Sequence, residues 1–326
     1  MPHRRDILKT ALGLAMTGPL GSAWAQADYP TRPVRLIVPY PAGGGTDAFA
    51  RMAGERLAQH LGQAVIVDNK PGAGTMIGAD LVAKSPADGY TVLLGDTGTY
   101  AVNRSLFQKV PYDVERDFAP VSLTARFALL LVAHPSLEVT SVSDLLRVAK
   151  ARPGAVNYAS VGIGSPHHLA MELFKRQAGL FMTHIAYRGG APAVADLLPG
   201  RVPLMFLDVV SAAQHLQAGK IKVLGMASPT RLAQLPNVPT VAEQGFPGFE
   251  AWAWQGLAVP AGTPTAAIQR LNAAFGAVAA EPEFRSRMAE MGTELIPSSP
   301  AAMAAYVKAE TDKWGHLIRA NKISAE

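Results

Sequence analysis

The residues best suited to binding chemistry lie in the segment Pro41-Ala42-Gly43-Gly44-Gly45-Thr46-Asp47. An apolar run from Val34 to Val38 precedes it, and apolar residues spaced three and four apart follow it from Phe49 to Leu61. Glycines leave the backbone open to close approach. The first turn of a helix adds unpaired N–H groups and a partial positive charge. The segment therefore predicts an anion site, formed by Ala42, Gly43, Gly44, Thr46 and Asp47. The alternative is an ordinary strand–helix turn with Asp47 as N-cap.

A second segment of similar chemistry is Gly164-Ser165-Pro166-His167-His168, at the predicted start of another helix. The Ser165 hydroxyl and the first N–H groups of that helix would bind an anion from a second side, although Ser165 could be a plain N-cap. His168 is a candidate ligand contact, and its alternative is a packing or capping role. A Ser165–His168 hydrolase is a further reading, but the Gly-x-Ser-x-Gly pattern is absent around Ser165.

Other polar residues follow predicted strands. Thr97 and Thr99 offer hydroxyl groups after the third strand. The segment Tyr187-Arg188-Gly189 contains the only cation of the candidate loops, and Arg188 could pair with a ligand carboxylate or simply face solvent. Asp208 could accept from a ligand amine or hydroxyl, or only cap the next helix. A plain dicarboxylate would be repelled by a bare Asp208 unless a water or a proton intervenes.

Strands and helices must position these residues, and they alternate along the chain. Predicted strands cover residues 34–38, 65–67, 90–94, 128–132, 156–159, 184–187, 202–207, 222–226 and 254–259. Short apolar strands separated by helices indicate parallel strands buried on both faces. The fold class is therefore α/β, with two doubly wound lobes joined by crossing segments near residues 122–128 and 226–232.

The domain prediction assigns residues 28–127 and 228–326 to lobe 1 and residues 128–227 to lobe 2. Residues 1–27 form a predicted export signal. In wound sheets, ligands bind outside the carboxyl ends of the strands. The loops 41–47, 95–99, 160–166, 187–191 and 208–211 occupy those ends, so we expect them to face a cleft between the lobes.

Composition and the first residues limit the function. The chain has no cysteine, which excludes disulfides and thiol chemistry. Its net charge of +5 is scattered rather than clustered, which argues against nucleic acid. Arg4-Arg5-Asp6-Ile7-Leu8-Lys9 resembles a twin-arginine signal. We therefore expect an exported periplasmic protein whose signal is removed, and a monomer without a cofactor or metal.

Several fragments together resemble the solute-binding proteins of tripartite tricarboxylate transporters, the Bug receptors. Besides the segments above, they are Tyr29-Pro30-x-Arg32-Pro33, Val67-Asp68-Asn69-Lys70-Pro71-Gly72-Ala73-Gly74, Asp88-Gly89-Tyr90-Thr91, Tyr112-Asp113, Leu207-Asp208, Pro236-Asn237-Val238-Pro239-Thr240-Val241-Ala242-Glu243 and Pro260-Ala261-Gly262-Thr263-Pro264. The resemblance covers residues 29 to 326. It implies a periplasmic-binding-protein (type II, Venus-flytrap) architecture. It also implies a receptor that passes a small carboxylate (a di- or tricarboxylate, amino acid or aromatic acid) to a membrane permease without catalysis. In the family the loops at Gly43 and Gly164 form the carboxylate site, often through waters.

A different reading is an exported NAD(P)-dependent oxidoreductase. The strand Val65-Ile66-Val67 precedes glycines at Gly72, Gly74 and Gly78, and Asp96 ends the next strand. These glycines follow an Asp-Asn-Lys-Pro loop instead of leaving the strand directly. A P-loop is excluded because no Gly-Lys-Ser/Thr follows the glycines.

Overall fold

The computed structural model describes residues 29–325, so the predicted export signal at 1–27 lies outside it. These residues form one curled mixed sheet with helices packed against it. The strands are β1 (Val34–Val38), β2 (Val65–Asn69), β3 (Thr91–Asp96), β4 (Phe118–Ala133), β5 (Asn157–Ser160), β6 (Thr183–Ala186), β7 (Leu204–Asp208), β8 (Lys222–Met226), β9 (Trp252–Pro260) and β10 (Thr293–Leu295).

The α-helices lie between and after the strands. They are α1 (Gly45–Leu61), α2 (Met76–Ala83), α3 (Asn103–Leu106), α4 (Val114–Asp117), α5 (Val142–Ala151), α6 (Pro166–Ala178), α7 (Gly190–Leu197), α8 (Val209–Gln217), α9 (Thr265–Ala280), α10 (Pro282–Glu290) and α11 (Pro300–Ala320). Among the helices formed by residues 29–325, none combines the length and apolar character that a membrane span requires.

The strand order is β2-β1-β3-β9-β4-β7-β5-β6, with β8 and β10 also paired to β4. Pairing is parallel within β1, β2 and β3 and within β5, β6 and β7, which confirms the α/β class. The expectation of parallel pairing throughout was wrong at the centre, where β9 and β4 run antiparallel to their neighbours. The chain re-enters the sheet there through crossing segments rather than through helical crossovers.

The strand β4 is the main departure from the predicted elements. Expected over residues 128–132, it runs for 16 residues from Phe118 to Ala133. Its first part pairs with β9 as far as Ala128, and its last part pairs with β7 from Leu129 onward. It therefore joins two groups of strands, and the segment from Met226 to Trp252 makes the second passage. The lobe boundaries themselves stay a prediction.

The first helix shows why this sequence folds as it does. Phe49, Ala53 and Leu57 lie on one side of α1 and are buried against β1. Gly62 ends the helix in a left-handed conformation with φ of 70°, which glycine adopts without steric cost. Burial of this apolar face fixes α1 on the sheet, and its N-terminus therefore lies at the carboxyl end of β1.

Candidate functional site

The loop between β1 and α1 is held from behind by Asp47. This carboxylate is buried, and its Oδ2 accepts from Gly43 N at 2.9 Å and from Arg51 Nε at 3.0 Å. Its Oδ1 accepts from Asn69 Nδ2 at 2.9 Å. The hydrogen bond from Arg51, against the opposing effect of burial, is the main cause that lowers the pKa of Asp47 to about 2, and Gly43 and Asn69 add to it. The N-cap is Gly44, so the alternative with Asp47 as N-cap was wrong.

The same loop is tied to the sheet at both ends. The Tyr40 hydroxyl donates to Asp96 on β3, and Gln255 Nε2 on β9 donates to Thr46 Oγ1 at 2.8 Å. Asp96 and Gln255 are directly opposite each other in the antiparallel pair. Residues 42–45 are exposed between these ties. The loop is therefore preorganised without being covered.

The predicted backbone donors of this loop divide into two kinds. The Gly43 N–H is taken by Asp47, which corrects the expectation that it faces a ligand. The N–H groups of Gly44, Gly45 and Thr46 belong to the first turn of α1, which has no intrahelical acceptors for them. A Cβ added at Gly45 would meet no atom within 4 Å, and one at Gly44 only Pro41 O at 4.0 Å. Open space therefore lies before these donors, as it does beside the exposed Ala42.

Thr97 and Thr99, predicted as ligand contacts, are hydrogen-bonded within the protein. Thr97 is fully buried, and its Oγ1 accepts from Trp254 N at 3.1 Å. Thr99 is also buried, and its Oγ1 lies 2.8 Å from Asp96 Oδ1 and 2.9 Å from Thr75 Oγ1. Both hydroxyls hold β3, β9 and the following turn together, and their role as ligand contacts stays a prediction.

The second loop is closed by its own side chains. Ser165 is the N-cap of α6, accepting from His168 N at 3.3 Å, and its hydroxyl donates to Gly162 O at 2.7 Å. His168 Nδ1 accepts from Gly164 N at 3.1 Å. The N-cap alternative for Ser165 is therefore confirmed. Its proton goes to a backbone oxygen and not to an imidazole, which removes the hydrogen bond that a Ser165–His168 hydrolase needs.

His168 packs in a ring stack in this structure, as its alternative reading expected, and its role as a ligand contact stays a prediction. Its ring stacks on His184 with centroids 3.9 Å apart, and Tyr158 extends the stack. Burial and the adjacent His184 lower the pKa of His168 to about 3, and burial lowers the pKa of His184 to about 4. Ser160 Oγ lies 2.7 Å from His184 Nε2, so the stack anchors the end of β5 where the loop begins.

The neighbouring His167 is the imidazole with free nitrogens. Its Nδ1 and Nε2 are buried without hydrogen-bond partners within residues 29–325, and Nε2 lies 3.9 Å from Asp208 Oδ2. Asp208 caps α8 by accepting from Ser211 N at 2.8 Å, so its capping alternative is confirmed. Burial acts to raise the pKa of Asp208, but His167 and Ser211 outweigh it and lower the pKa. Nothing in the sequence distinguished His167 from His168, since they share one turn.

Two of the three residues from Tyr187 to Gly189 are hydrogen-bonded within the protein. The Tyr187 hydroxyl donates to Asp196 Oδ2 at 2.8 Å, and Gly189 N donates to Val161 O at 3.2 Å. Arg188 is exposed and has no ion pair or hydrogen bond to the part of the chain that the structure describes. Arg188 is therefore available as a cation, whereas the other two polar groups shape the loop.

Contacts link these loops to one another. The hydrogen bond from Gly189 N to Val161 O joins two of them, and the approach of His167 Nε2 to within 3.9 Å of Asp208 Oδ2 brings in a third. Gly164 packs on the segment after β3, where an added Cβ would lie 2.2 Å from Leu106 Cδ2. Asp96 at the end of β3 holds the first loop, so the first loop and Gly164 of the second loop both contact β3 or the residues that follow it.

The glycines of the dinucleotide reading have structural causes. A Cβ at Gly78 would lie 3.0 Å from Lys70 O and from Pro39 Cβ, and Gly74 adopts a φ of 59°. Gly72, with φ of 127°, would place a Cβ 2.5 Å from Ile77. The turn and its packing on β1 therefore account for this glycine pattern.

The comparisons with known proteins agree with one another. A protein-family sequence model, described as tripartite tricarboxylate transporter family receptor, matches residues 49–323. A protein from the tcbD–tcbE intergenic region of Pseudomonas sp. strain P51 is 39% identical over 99% of this chain and 96% of its own. BugT of Bordetella pertussis is 37% identical over 89% of this chain and 90% of its own.

Solved structures give the same picture. The R. palustris protein Rpa4515 with adipate has a TM-score of 0.84 and 39% identity, covering 90% of this chain and 98% of that one. MatC from Rhodopseudomonas palustris with bound malate has a TM-score of 0.79 and 32% identity, covering 89% of this chain and 100% of that one. The periplasmic binding protein BugD has a TM-score of 0.81 and 33% identity, covering 90% and 99%.

Proposed function

We propose, from the premise that this chain belongs to the tripartite tricarboxylate transporter receptor family, that it captures a small carboxylate between its two lobes. It then delivers the acid to the membrane subunits of a tripartite tricarboxylate-type transporter. Two structural relatives hold linear dicarboxylates, adipate in one and malate in the other. The ligand is therefore a small organic acid of that kind.

One observation carries this proposal: the turn into α1 presents open N–H groups in a fixed loop. Gly44, Gly45 and Thr46 offer unpaired donors at the positive end of a 17-residue helix. Asp47 and Asp96 hold the loop in place, so little ordering free energy is lost when an anion binds. A carboxylate fits these donors without a neighbouring cation.

The second lobe would meet the other end of the ligand. Its exposed free group is Arg188, which pairs well with carboxylates. The carboxylate of Asp208 lies 3.9 Å from His167 Nε2 and accepts from Ser211 N at 2.8 Å. This combination suits a dicarboxylate whose far end also carries a hydroxyl or amine.

The remaining assignments follow from the family and the first residues. The Arg4-Arg5 signal directs export, so the receptor works in a periplasm. It acts there as a monomer. The ligand is bound and released unchanged, since the family is one of receptors and Ser165 has no imidazole as its hydrogen-bond acceptor.

The test is native mass spectrometry of freshly purified protein, followed by calorimetry with adipate and malate. We expect a co-purified small acid and a Kd between about 1 and 100 μM for at least one diacid. The control is adipamide, which keeps the length of adipate but has no charge, and it should not bind. A protein that carries no acid and gives no heat with linear diacids would contradict the proposal.

A further inference from the structure

Gln255 is a buried residue of the site that sequence reasoning missed. It lies on β9, and only 3% of its surface is exposed. Its Nε2 donates to Thr46 Oγ1 at 2.8 Å. Its Oε1 is buried without a hydrogen-bond partner within the described range 29–325. An unpaired buried amide oxygen costs free energy, so the presence of this residue needs an explanation other than stability.

The direction of the bond to Thr46 supplies that explanation. A hydroxyl has one hydrogen to donate and two lone pairs that accept. Because the amide of Gln255 donates, the oxygen of Thr46 is the acceptor and its hydrogen is directed elsewhere. No acceptor for that hydrogen exists among the side chains and backbone that the structure describes. Thr46 is the second residue of α1, so this free hydrogen lies among the open N–H groups of the helix.

The partner of Gln255 in the sheet shows the contrast between two roles. Asp96 accepts from the Tyr40 hydroxyl and from Thr99 N, so it ties the start of the loop to the residues that follow β3. Gln255 fixes no backbone atom of the loop and acts on one hydroxyl only. The two residues are directly opposite each other, so one position of the sheet holds the loop and the other orients a donor.

We propose that Gln255 is a positioning residue: by donating to Thr46, it makes the Thr46 hydroxyl a donor to the ligand carboxylate. This inference rests on the proposed function, because it needs an anion at the N-terminus of α1. The unpaired Oε1 is the stability cost of holding the amide in the donating orientation.

The first test replaces Gln255 with methionine, which has similar length and no hydrogen-bonding amide. Gln255→Met should weaken the binding of adipate or malate about tenfold, as expected for the loss of one charge-assisted hydrogen bond. Its melting temperature should stay the same or rise, because the variant also removes an unpaired buried oxygen.

The matched control is Gln244→Met. Both ends of that amide are bonded, with Nε2 donating to Leu224 O at 2.9 Å and Oε1 accepting from Val142 N at 3.2 Å. The control should therefore melt lower and bind the diacids like the parent protein. If Gln255→Met melts as low as Gln244→Met, the residue is structural and the inference is overturned, whether or not a diacid binds.

A double-mutant cycle tests the route through Thr46. In a Thr46→Val background, Gln255→Met should cause no further loss of affinity, because the hydroxyl that it orients is gone. If the two substitutions reduced diacid affinity independently, so that their fold-losses multiplied, the inference would be overturned while the carboxylate-receptor function would stand. A parent protein that binds no acid would instead refute the proposed function and the positioning role with it, whatever the melting comparison shows.

Discussion

The two loops at the starts of α1 and α6 share a plan but are held in different ways. Each follows a strand, contains glycine and a hydroxyl residue, and opens a helix. The first is anchored by side chains from distant elements, chiefly Asn69 and Asp96. The second is anchored by its own Ser165 and by His168 in the adjacent turn. The first loop keeps the donors of residues 44–46 free, whereas the second uses its hydroxyl internally.

Glycine has opposite purposes in the two loops. Gly44 has an ordinary extended φ of −85° and open space beside it, so its missing side chain leaves room for something outside the chain. Gly164 has a φ of +75°, and its missing side chain leaves room for Leu106. A glycine that leaves room for a ligand and a glycine that leaves room for packing therefore differ in which atoms an added Cβ would contact.

Gly44→Val should have the largest effect on binding. Valine fits the extended backbone of Gly44, so the fold should keep its melting temperature. Its side chain would fill the space before the donors of α1 and reduce diacid affinity by about 100-fold or more. Calorimetry and thermal melting measure the two quantities, and unchanged affinity would refute the assigned site.

Gly164→Ala is the reciprocal change and should act on stability. The added methyl would lie 2.2 Å from Leu106 Cδ2 on a backbone that disfavours L-residues. We expect a loss of about 2–4 kcal/mol in the free energy of unfolding, from overpacking and left-handed strain. Urea unfolding measures it, and a variant as stable as the parent would remove the contrast between the two glycines.

The imidazole stack under the second loop makes that loop sensitive to acid. Burial lowers the pKa of His168 to about 3 and of His184 to about 4, below the usual value near 6.5. The unfolded chain therefore takes up protons first, so stability is complete above about pH 6.5 and falls as pH decreases toward about 3. The neighbouring Tyr158, Glu172 and Lys175 face the same stack.

The check is thermal melting at about pH 7 and about pH 4.5, where we expect the melting temperature to fall by roughly several degrees. The variant His184→Gln keeps a planar side chain that can bond Ser160 but does not titrate. The melting temperature of this variant should fall less between the two pH values. An identical fall in both proteins would show that the stack does not contribute to the acid sensitivity.

Ser165→Ala should have a moderate effect on stability. The serine caps α6 and bonds Gly162, so its loss should cost about 1 kcal/mol. Diacid affinity should change by less than about threefold, because the hydroxyl hydrogen is already used. A large loss of affinity at unchanged stability would mean that Ser165 binds the ligand directly.

Arg188→Ala should give the smallest effect. The side chain is exposed, so its contribution to a bound carboxylate is screened by water and salt. We expect affinity to fall by about two- to fivefold at low salt, less at high salt, with no change in melting. Calorimetry at two ionic strengths checks this, and a salt-independent loss would indicate a buried, direct contact.

The sequence predicted those elements whose apolar pattern is local. The strand β1 follows from the apolar run from Val34 to Val38, and the helix α1 follows from the periodic apolar residues up to Leu61. The long β4 was missed because Pro120 and polar residues break its pattern before residue 128, where irregular pairing with β9 accommodates them. Tertiary pairing, not local preference, defines that strand.

The site was predicted as loops more reliably than as side chains. Glycines and helix starts are visible in sequence, whereas the direction of a side chain is not. Thr97 and Thr99 point into the protein, and His168 turns into a stack while His167 stays unpartnered. Gln255 follows Thr46 by 209 positions in the chain, so no spacing could have paired them.

The most direct test of the central claim is a crystal structure of the protein with its bound diacid. The account predicts a carboxylate oxygen about 3 Å from the N–H of Gly45 or Thr46 or from Thr46 Oγ1, directly or through one water. A diacid whose carboxylates have no contact with residues 44–46, either direct or through water, would contradict it.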